Sequence, residues 1–67
     1  MTLSSLRSLI ADMGDRGITV WLHVEPARVR VVMQNKNYKL AKAELSWAEA
    51  EDGLPGTISH LADALAA

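Results

Sequence analysis

Two stretches with alternating apolar residues occupy residues 18–34, whose sequence is ITVWLHVEPARVRVVMQ. The apolar positions are Ile18, Val20, Leu22 and Val24, then Val29, Val31 and Met33. A period of two is typical of strands with one buried face. A hairpin keeps both apolar sets on one side when Val24 pairs with Val29, Leu22 with Val31 and Val20 with Met33. Pro26 cannot adopt the positive φ of a primed two-residue turn, so we expect a four-residue loop, 25–28, built on a type I turn.

A helix is expected before this hairpin, over residues 3–13. Its apolar residues recur at spacings of three and four: Leu3, Leu6, Ile10 and Met13. Thr2 or Ser4 can cap its start by accepting a hydrogen bond from a free backbone N–H. Gly14 and Gly17 stand where a helix ends, because glycine enters the left-handed region without a Cβ penalty.

Residues 38–52 fit two structures. Their apolar residues alternate as in a strand at Ala41, Ala43, Leu45 and Trp47. One side of a helix would instead carry Leu40, Ala43, Trp47, Ala50 and Leu54. The strand is preferred because a three-residue turn at 35–37, with Asn37 in the left-handed region, places Val31 opposite Ala41 and matches the buried sets. The alternative is a β-hairpin with three helices, in which residues 38–52 are helical.

A break and a last helix are expected towards the C-terminus. Residues 53–56 contain two glycines and a proline, which is typical of a turn. Thr57 can cap a helix whose apolar residues again recur at spacings of three and four. The predicted fold class is therefore α+β, in the order α-β-β-β-α. It is a three-stranded antiparallel meander with two helices on one face, in a single domain spanning residues 1–67.

Two helices on one face leave the opposite face of the sheet open. In the expected register Trp21, Val32 and Leu40 lie side by side across the three strands, with Tyr38 adjoining. Contiguous apolar patches on an exposed surface usually mark contact sites, so we expect a protein-binding surface here. Its expected contact residues are Trp21, Arg30, Val32, Tyr38, Leu40 and Lys42. The simplest partner is a second copy of the chain. The alternative is that the C-terminal segment or the stretch near Trp47 covers Trp21.

Charge is unevenly distributed along the chain. Residues 28–42 contain five basic residues and no acidic one, whereas residues 44–67 contain five acidic residues and no lysine or arginine. A basic hairpin suits phosphates, so nucleic-acid binding through residues 28–42 is the alternative function. The net charge of −1 favours neutralisation within the molecule or across a dimer instead.

The sequence contains no recognisable catalytic or metal-binding pattern. His60 and Asp63 are spaced to contact one metal ion, but two ligands without a third do not make a zinc site. Residues 14–17, GDRG, lack the glycine spacing and the Lys-Ser/Thr pair of a P-loop. We therefore expect a protein that is not an enzyme and holds neither metal nor cofactor.

Length and composition favour a binding role. A chain of 67 residues without cysteine buries only about 60% of its unfolded surface, so self-association or a partner would add stability. The N-terminus shows no basic segment leading into an apolar stretch, so the cytoplasm is expected. In size alone the chain looks like the small accessory proteins of phages and mobile elements, some of which inhibit a host protein. The double-stranded RNA-binding domain shares the element order, but its lysine cluster has no counterpart in residues 56–60.

Overall fold

The chain forms two helices and three strands in the computed structural model, which describes residues 2–66. The elements are α1 (Leu3–Asp15), β1 (Thr19–Val24), β2 (Val29–Gln34), β3 (Leu40–Leu45) and α2 (Trp47–Ala66). The strands form one antiparallel sheet in the order β1-β2-β3. Both helices pack against the same face of this sheet. The predicted α+β class and element order are confirmed, and the alternative with three helices is wrong because β3 occupies 40–45. Its helical assignment is nevertheless right for residues 47–52, where the preferred strand was expected to include Trp47 and α2 begins instead.

Helix α1 is held at both ends by local hydrogen bonds. The Thr2 side chain accepts a hydrogen bond from the Ser5 N–H at 3.1 Å, which confirms one of the two expected caps. At the other end Gly17 has φ +74°, and the Ile18 N–H donates to the Met13 carbonyl at 2.9 Å. This arrangement is a Schellman motif, for which glycine is the favoured residue. It turns the chain so that Ile18 enters the core, and α1 ends two residues later than predicted.

The hairpin of β1 and β2 has the predicted register. Val24 pairs with Val29, and the alternation continues along both strands. The connecting turn is closed by two hydrogen bonds, from the Glu25 N–H to the Arg28 carbonyl at 2.9 Å and from the Arg28 N–H to the Glu25 carbonyl at 3.3 Å. Among the described residues Tyr38 is the one non-glycine residue with a positive φ, so Pro26 keeps the negative φ expected of it.

The turn between β2 and β3 lies one residue later than predicted. Tyr38, with φ 65°, takes the left-handed position that was expected for Asn37. The Asn35 N–H donates to the Lys39 carbonyl at 3.0 Å, so the loop spans the three residues between them. The side chain of Asn35 explains the difference. Its Oδ1 accepts hydrogen bonds from the N–H groups of Asn37 at 2.9 Å and Lys39 at 3.0 Å, which fixes the turn around Asn35.

This displacement shifts the register of β3 by two residues. Val31 lies opposite Ala43 and not, as predicted, opposite Ala41. Because side chains alternate between the two faces, a shift of two leaves every residue of β3 on its predicted face. The Asn35 amide also donates from Nδ2 to the Leu65 carbonyl at 3.1 Å, which joins this turn to the last turn of α2.

Helix α2 begins ten residues before the predicted cap at Thr57. Ser46 precedes it, and its Oγ accepts a hydrogen bond from the Glu49 N–H at 3.1 Å. In return the Glu49 carboxylate accepts one from the Ser46 N–H at 3.0 Å. These two bonds form a capping box, which satisfies two backbone donors at the start of the helix.

The predicted break at residues 53–56 is wrong, because α2 continues through Gly53, Pro55 and Gly56. A proline inside a helix costs about 3 kcal/mol and each glycine about 1 kcal/mol relative to alanine. One face of α2 offsets this cost by burial, through Ala50, Leu54, Ile58, Leu61, Ala62 and Leu65. Each large aliphatic side chain contributes about 1.5–3 kcal/mol when buried, so the four here outweigh the local propensities.

The core is apolar throughout and is most complete where the two helices end. We call this part of the domain the closed end; its residues are Met13, Ile18, Met33, Ile58, Leu61 and Leu65, all buried. The Arg16 guanidinium lies 4.0 Å from the Asp63 carboxylate and links α1 to α2 there. Within residues 2–66, the helices lack the combination of length and apolar character that crossing a bilayer requires.

Candidate functional site

Two exposed apolar surfaces lie on opposite sides of the sheet. The first is the open face, which neither helix covers and which carries Thr19, Trp21, His23, Arg30, Val32, Gln34, Leu40, Lys42 and Glu44. The second, the groove, lies on the helix side at the end where both helices begin. Sequence analysis predicted the open face and missed the groove.

The middle of the open face is a row of three residues, one from each strand. Trp21 lies opposite Val32, which lies opposite Lys42. Sequence analysis expected Leu40 beside Val32, but the register shift places Leu40 opposite Gln34. Trp21 is 41% exposed, and Leu40 is also exposed, on a position diagonal to Val32. The apolar patch is therefore real but less continuous than predicted, because the stem of a lysine occupies its third position.

Arg30 belongs to a cluster of four charged residues at one end of the open face. This Arg–Glu cluster consists of Glu25, Arg28, Arg30 and Glu44. Arg28 lies 3.2 Å from Glu44 and 3.6 Å from Glu25, and Arg30 lies 3.4 Å and 3.6 Å from the same two carboxylates. Each arginine therefore has two acidic partners. Of the five basic residues in 28–42, these two are neutralised within the domain.

Tyr38 lies away from the row that contains Trp21. It occupies the turn before β3 and is highly exposed. Its neighbour Lys39 reaches the end of α2, where its Nζ lies 3.5 Å from the Ala64 carbonyl. Tyr38 is thus available for contacts at the closed end, whereas Trp21 lies midway along the edge strand β1.

The groove has two helical walls and a floor of strand residues. Leu3 and Leu6 of α1 form one wall; Trp47, Ala48, Ala50, Glu51 and Leu54 of α2 form the other. The floor consists of Leu22, Val24 and Val29, and the groove encloses ≈ 710 Å³. Val24 points to the same side of the sheet as the core, yet it is 65% exposed, and Leu3 is 86% exposed. The apolar layer that fills the closed end is therefore incomplete here.

Trp47 is fixed at the edge of the groove by its indole N–H. The Nε1 atom donates to the carbonyl oxygens of Glu25 at 3.0 Å and Pro26 at 3.1 Å, while about half of the residue, 49%, remains exposed. These bonds join the start of α2 to the turn between β1 and β2. The spacing of Ser46 and Glu49 could have predicted this position of Trp47. A Ser-x-x-Glu capping box starts a helix at residue 47 and ends the strand before it.

The charge near the groove is acidic on the α2 side. Glu51 is the one charged residue among those that line the groove, and Asp52 follows it along the helix. Neither carboxylate forms an ion pair with another described residue. Glu49 is already engaged: the hydrogen bond from the Ser46 backbone, with a smaller contribution from the Ser46 side chain, lowers the pKa of its carboxyl.

The part of the chain that the structure describes brings no three metal-ligating side chains together, and His60 and Asp63 remain two surface residues of α2. Comparison with protein-family models, curated proteins and solved structures gave no match. A functional assignment therefore depends on the two apolar surfaces.

Proposed function

We propose that this chain is a non-catalytic protein-binding module that associates with a second copy of itself through the open face. The observation that carries the proposal is the exposure of Trp21, midway along the edge strand β1, on a face that neither helix covers. Tryptophan is a frequent energetic centre of interfaces, because it combines a large apolar area with one hydrogen-bond donor. A two-fold axis would bury Trp21 and Val32 of both copies together.

The size of the open face sets the expected strength of this contact. Three strands of six residues cover roughly 15 Å by 20 Å, or about 300 Å² in outline. Stable interfaces bury about 800 Å² on each partner, so self-association through this face alone is weak and depends on concentration. A larger protein would bury more surface by also contacting the turns. A host protein, inhibited by a small phage or mobile-element accessory protein, is the other partner that we propose for this face.

Nucleic-acid binding through the basic residues of 28–42 is the alternative function. The Arg–Glu cluster counts against it, because Arg28 and Arg30 already have carboxylate partners. Three lysines remain for phosphate contacts: Lys36, Lys39 and Lys42. Phosphate contacts release counterions, so this alternative requires an affinity that falls steeply with salt. The cytoplasm remains the compartment that we propose, on the sequence argument alone.

The test is the solution mass by light scattering over a range of protein and salt concentrations, with absorbance at 260 and 280 nm. We expect the mass of the parent protein to rise with protein concentration and to change little with salt. Trp21→Ala should keep its circular dichroism spectrum and remain monomeric. Leu3→Ala is the matched control, because it removes an exposed apolar side chain on the other side of the sheet.

Three results would count against the proposal. A parent protein that stays monomeric throughout would exclude self-association. A Trp21→Ala variant that unfolds would show that Trp21 belongs to the core, and Leu40→Lys would then test the face. A solution mass that falls with salt, together with a raised ratio of absorbance at 260 nm to absorbance at 280 nm, would support nucleic-acid binding.

A further inference from the structure

We propose that the groove binds an amphipathic helix from another protein, with apolar residues in the groove and basic residues beside Glu51. This inference concerns the helix side of the sheet, so it is independent of self-association through the open face. The groove presents three exposed apolar residues: Leu3 and Trp47 in the walls, and Val24, the part of the floor that the domain leaves uncovered.

The walls of the groove favour a helix over an extended segment. Both walls are helices that present side chains to the groove, so the walls lack the row of alternating N–H and C=O groups that a strand edge offers an extended segment. An extended segment would lie there with its own backbone unpaired. A helix satisfies its backbone internally and needs only apolar side chains on one face. The α2 wall runs from Trp47 to Leu54, about 10 Å, which matches two turns of such a helix.

The charge of the α2 wall determines which helix fits. Residues 44–67 contain five acidic residues and no lysine or arginine. Two of these, Glu44 and Asp63, have arginine partners elsewhere, and Glu49 caps the helix. Glu51 lines the groove and has no ion pair among the described residues; Asp52, which follows it but does not line the groove, has none either. A lysine or arginine that flanks the apolar face of the partner would neutralise Glu51.

The same charge disfavours other occupants. Two grooves packed against each other would bury Glu51 of both copies without a basic partner, because no lysine or arginine lines the groove. A fatty acid would likewise find no basic residue in the lining to pair with its carboxylate. The α1 wall does not change this balance, because Arg7 is the only basic residue of α1 and does not line the groove.

The experiment titrates the ¹⁵N-labelled full chain with two synthetic helical peptides of about 14 residues. Both carry leucine at helical spacing along one face; one has lysine and the other glutamate at the flanking positions. We expect the lysine peptide to bind more tightly and to shift the amide signals of Leu3, Leu6 and Val24 and the Trp47 indole signal. Signals of the open face, such as those of Trp21 and Val32, should not move.

Matched variants separate the apolar and the charged contributions. Val24→Arg should weaken the lysine peptide about tenfold or more, since it places a charge on the floor of the groove, whereas His23→Arg on the opposite face should not. Leu3→Gln is a second test of the apolar contribution, because it replaces an apolar side chain of the α1 wall with a polar one. Leu3 is exposed enough for the variant to keep the fold. Glu51→Lys should weaken the lysine peptide several-fold and favour the glutamate peptide, an effect of the size expected for an exposed charge pair. Asp12→Lys is its control, because Asp12 is an exposed residue of α1 outside the groove.

The proposal is overturned if the lysine peptide does not bind saturably or shifts the open face instead. Equal affinity for the two peptides would overturn the charge argument. Saturable binding of decanoate without binding of either peptide would make the groove a small-molecule site. Shifts of the groove signals on raising the protein concentration alone would make a second copy the occupant. That last result would also place self-association at the groove and not at the open face. Loss of peptide binding alone leaves the open-face proposal intact, so the two proposals can fail separately.

Discussion

The closed end and the groove end of this domain contain the same two helices over the same sheet, but only one of them is filled. At the closed end large side chains from both helices and the sheet meet, and Met13, Met33 and Ile58 are at most 2% exposed. At the groove end α2 presents two alanines, Ala48 and Ala50, in the wall that faces α1. Small side chains leave space that the neighbouring elements do not fill. The difference shows that one apolar layer is packed at one end and open at the other.

The largest expected effect is on stability, and it distinguishes the two ends. Ile58→Ala removes a side chain that is fully buried at the closed end, and we expect a loss of about 3–4 kcal/mol in the free energy of unfolding. Val24→Ala at the groove should cost less than about 1 kcal/mol, because most of that side chain is already in water. Urea denaturation followed by circular dichroism measures both. Equal losses for the two variants would mean that the Val24 side chain is packed in solution and that the groove is closed.

A smaller effect is expected from the capping box that starts α2 at the groove. Ser46→Ala removes the acceptor of the Glu49 N–H bond, and loss of such a cap costs about 1 kcal/mol. The measurement is again urea denaturation, with circular dichroism at 222 nm reporting the length of α2. No change in either quantity would contradict the assignment of Ser46 as the cap.

The pH dependence of stability provides a second test of the capping box formed by Ser46 and Glu49. A carboxyl whose pKa is lower in the folded than in the unfolded state stabilises the fold above its unfolded pKa. That contribution is lost as the pH falls through the lowered pKa. Glu49→Gln should therefore lower stability at neutral pH and reduce the loss that the parent protein shows on acidification below the ordinary range of glutamate.

Sequence reasoning predicted the parts of this molecule that short-range patterns determine. The alternation of residues 18–34, together with Pro26, was enough for the register of the first hairpin. A strand pattern was not enough for the register of β3, because the side chain of Asn35 fixes the turn before it. The glycines and proline of 53–56 indicated a break, but burial of one face keeps α2 helical through them. The predicted contact residues share the open face, apart from Tyr38 in its turn. The groove could not be predicted, since it depends on Leu3, Val24 and Trp47 meeting in space.

Native-state amide hydrogen exchange tests the central claim, that one end of the domain is packed and the other is open. It should be measured at a concentration where light scattering gives a monomer. We expect amides at the closed end, such as those of Met33, Ile58 and Leu61, to exchange with a free energy near that of global unfolding. The first turns of α1 and α2, around Leu6 and Ala50, should exchange faster, through local opening at the groove. Equal protection at the two ends would contradict the claim, because it would mean that the groove closes in solution.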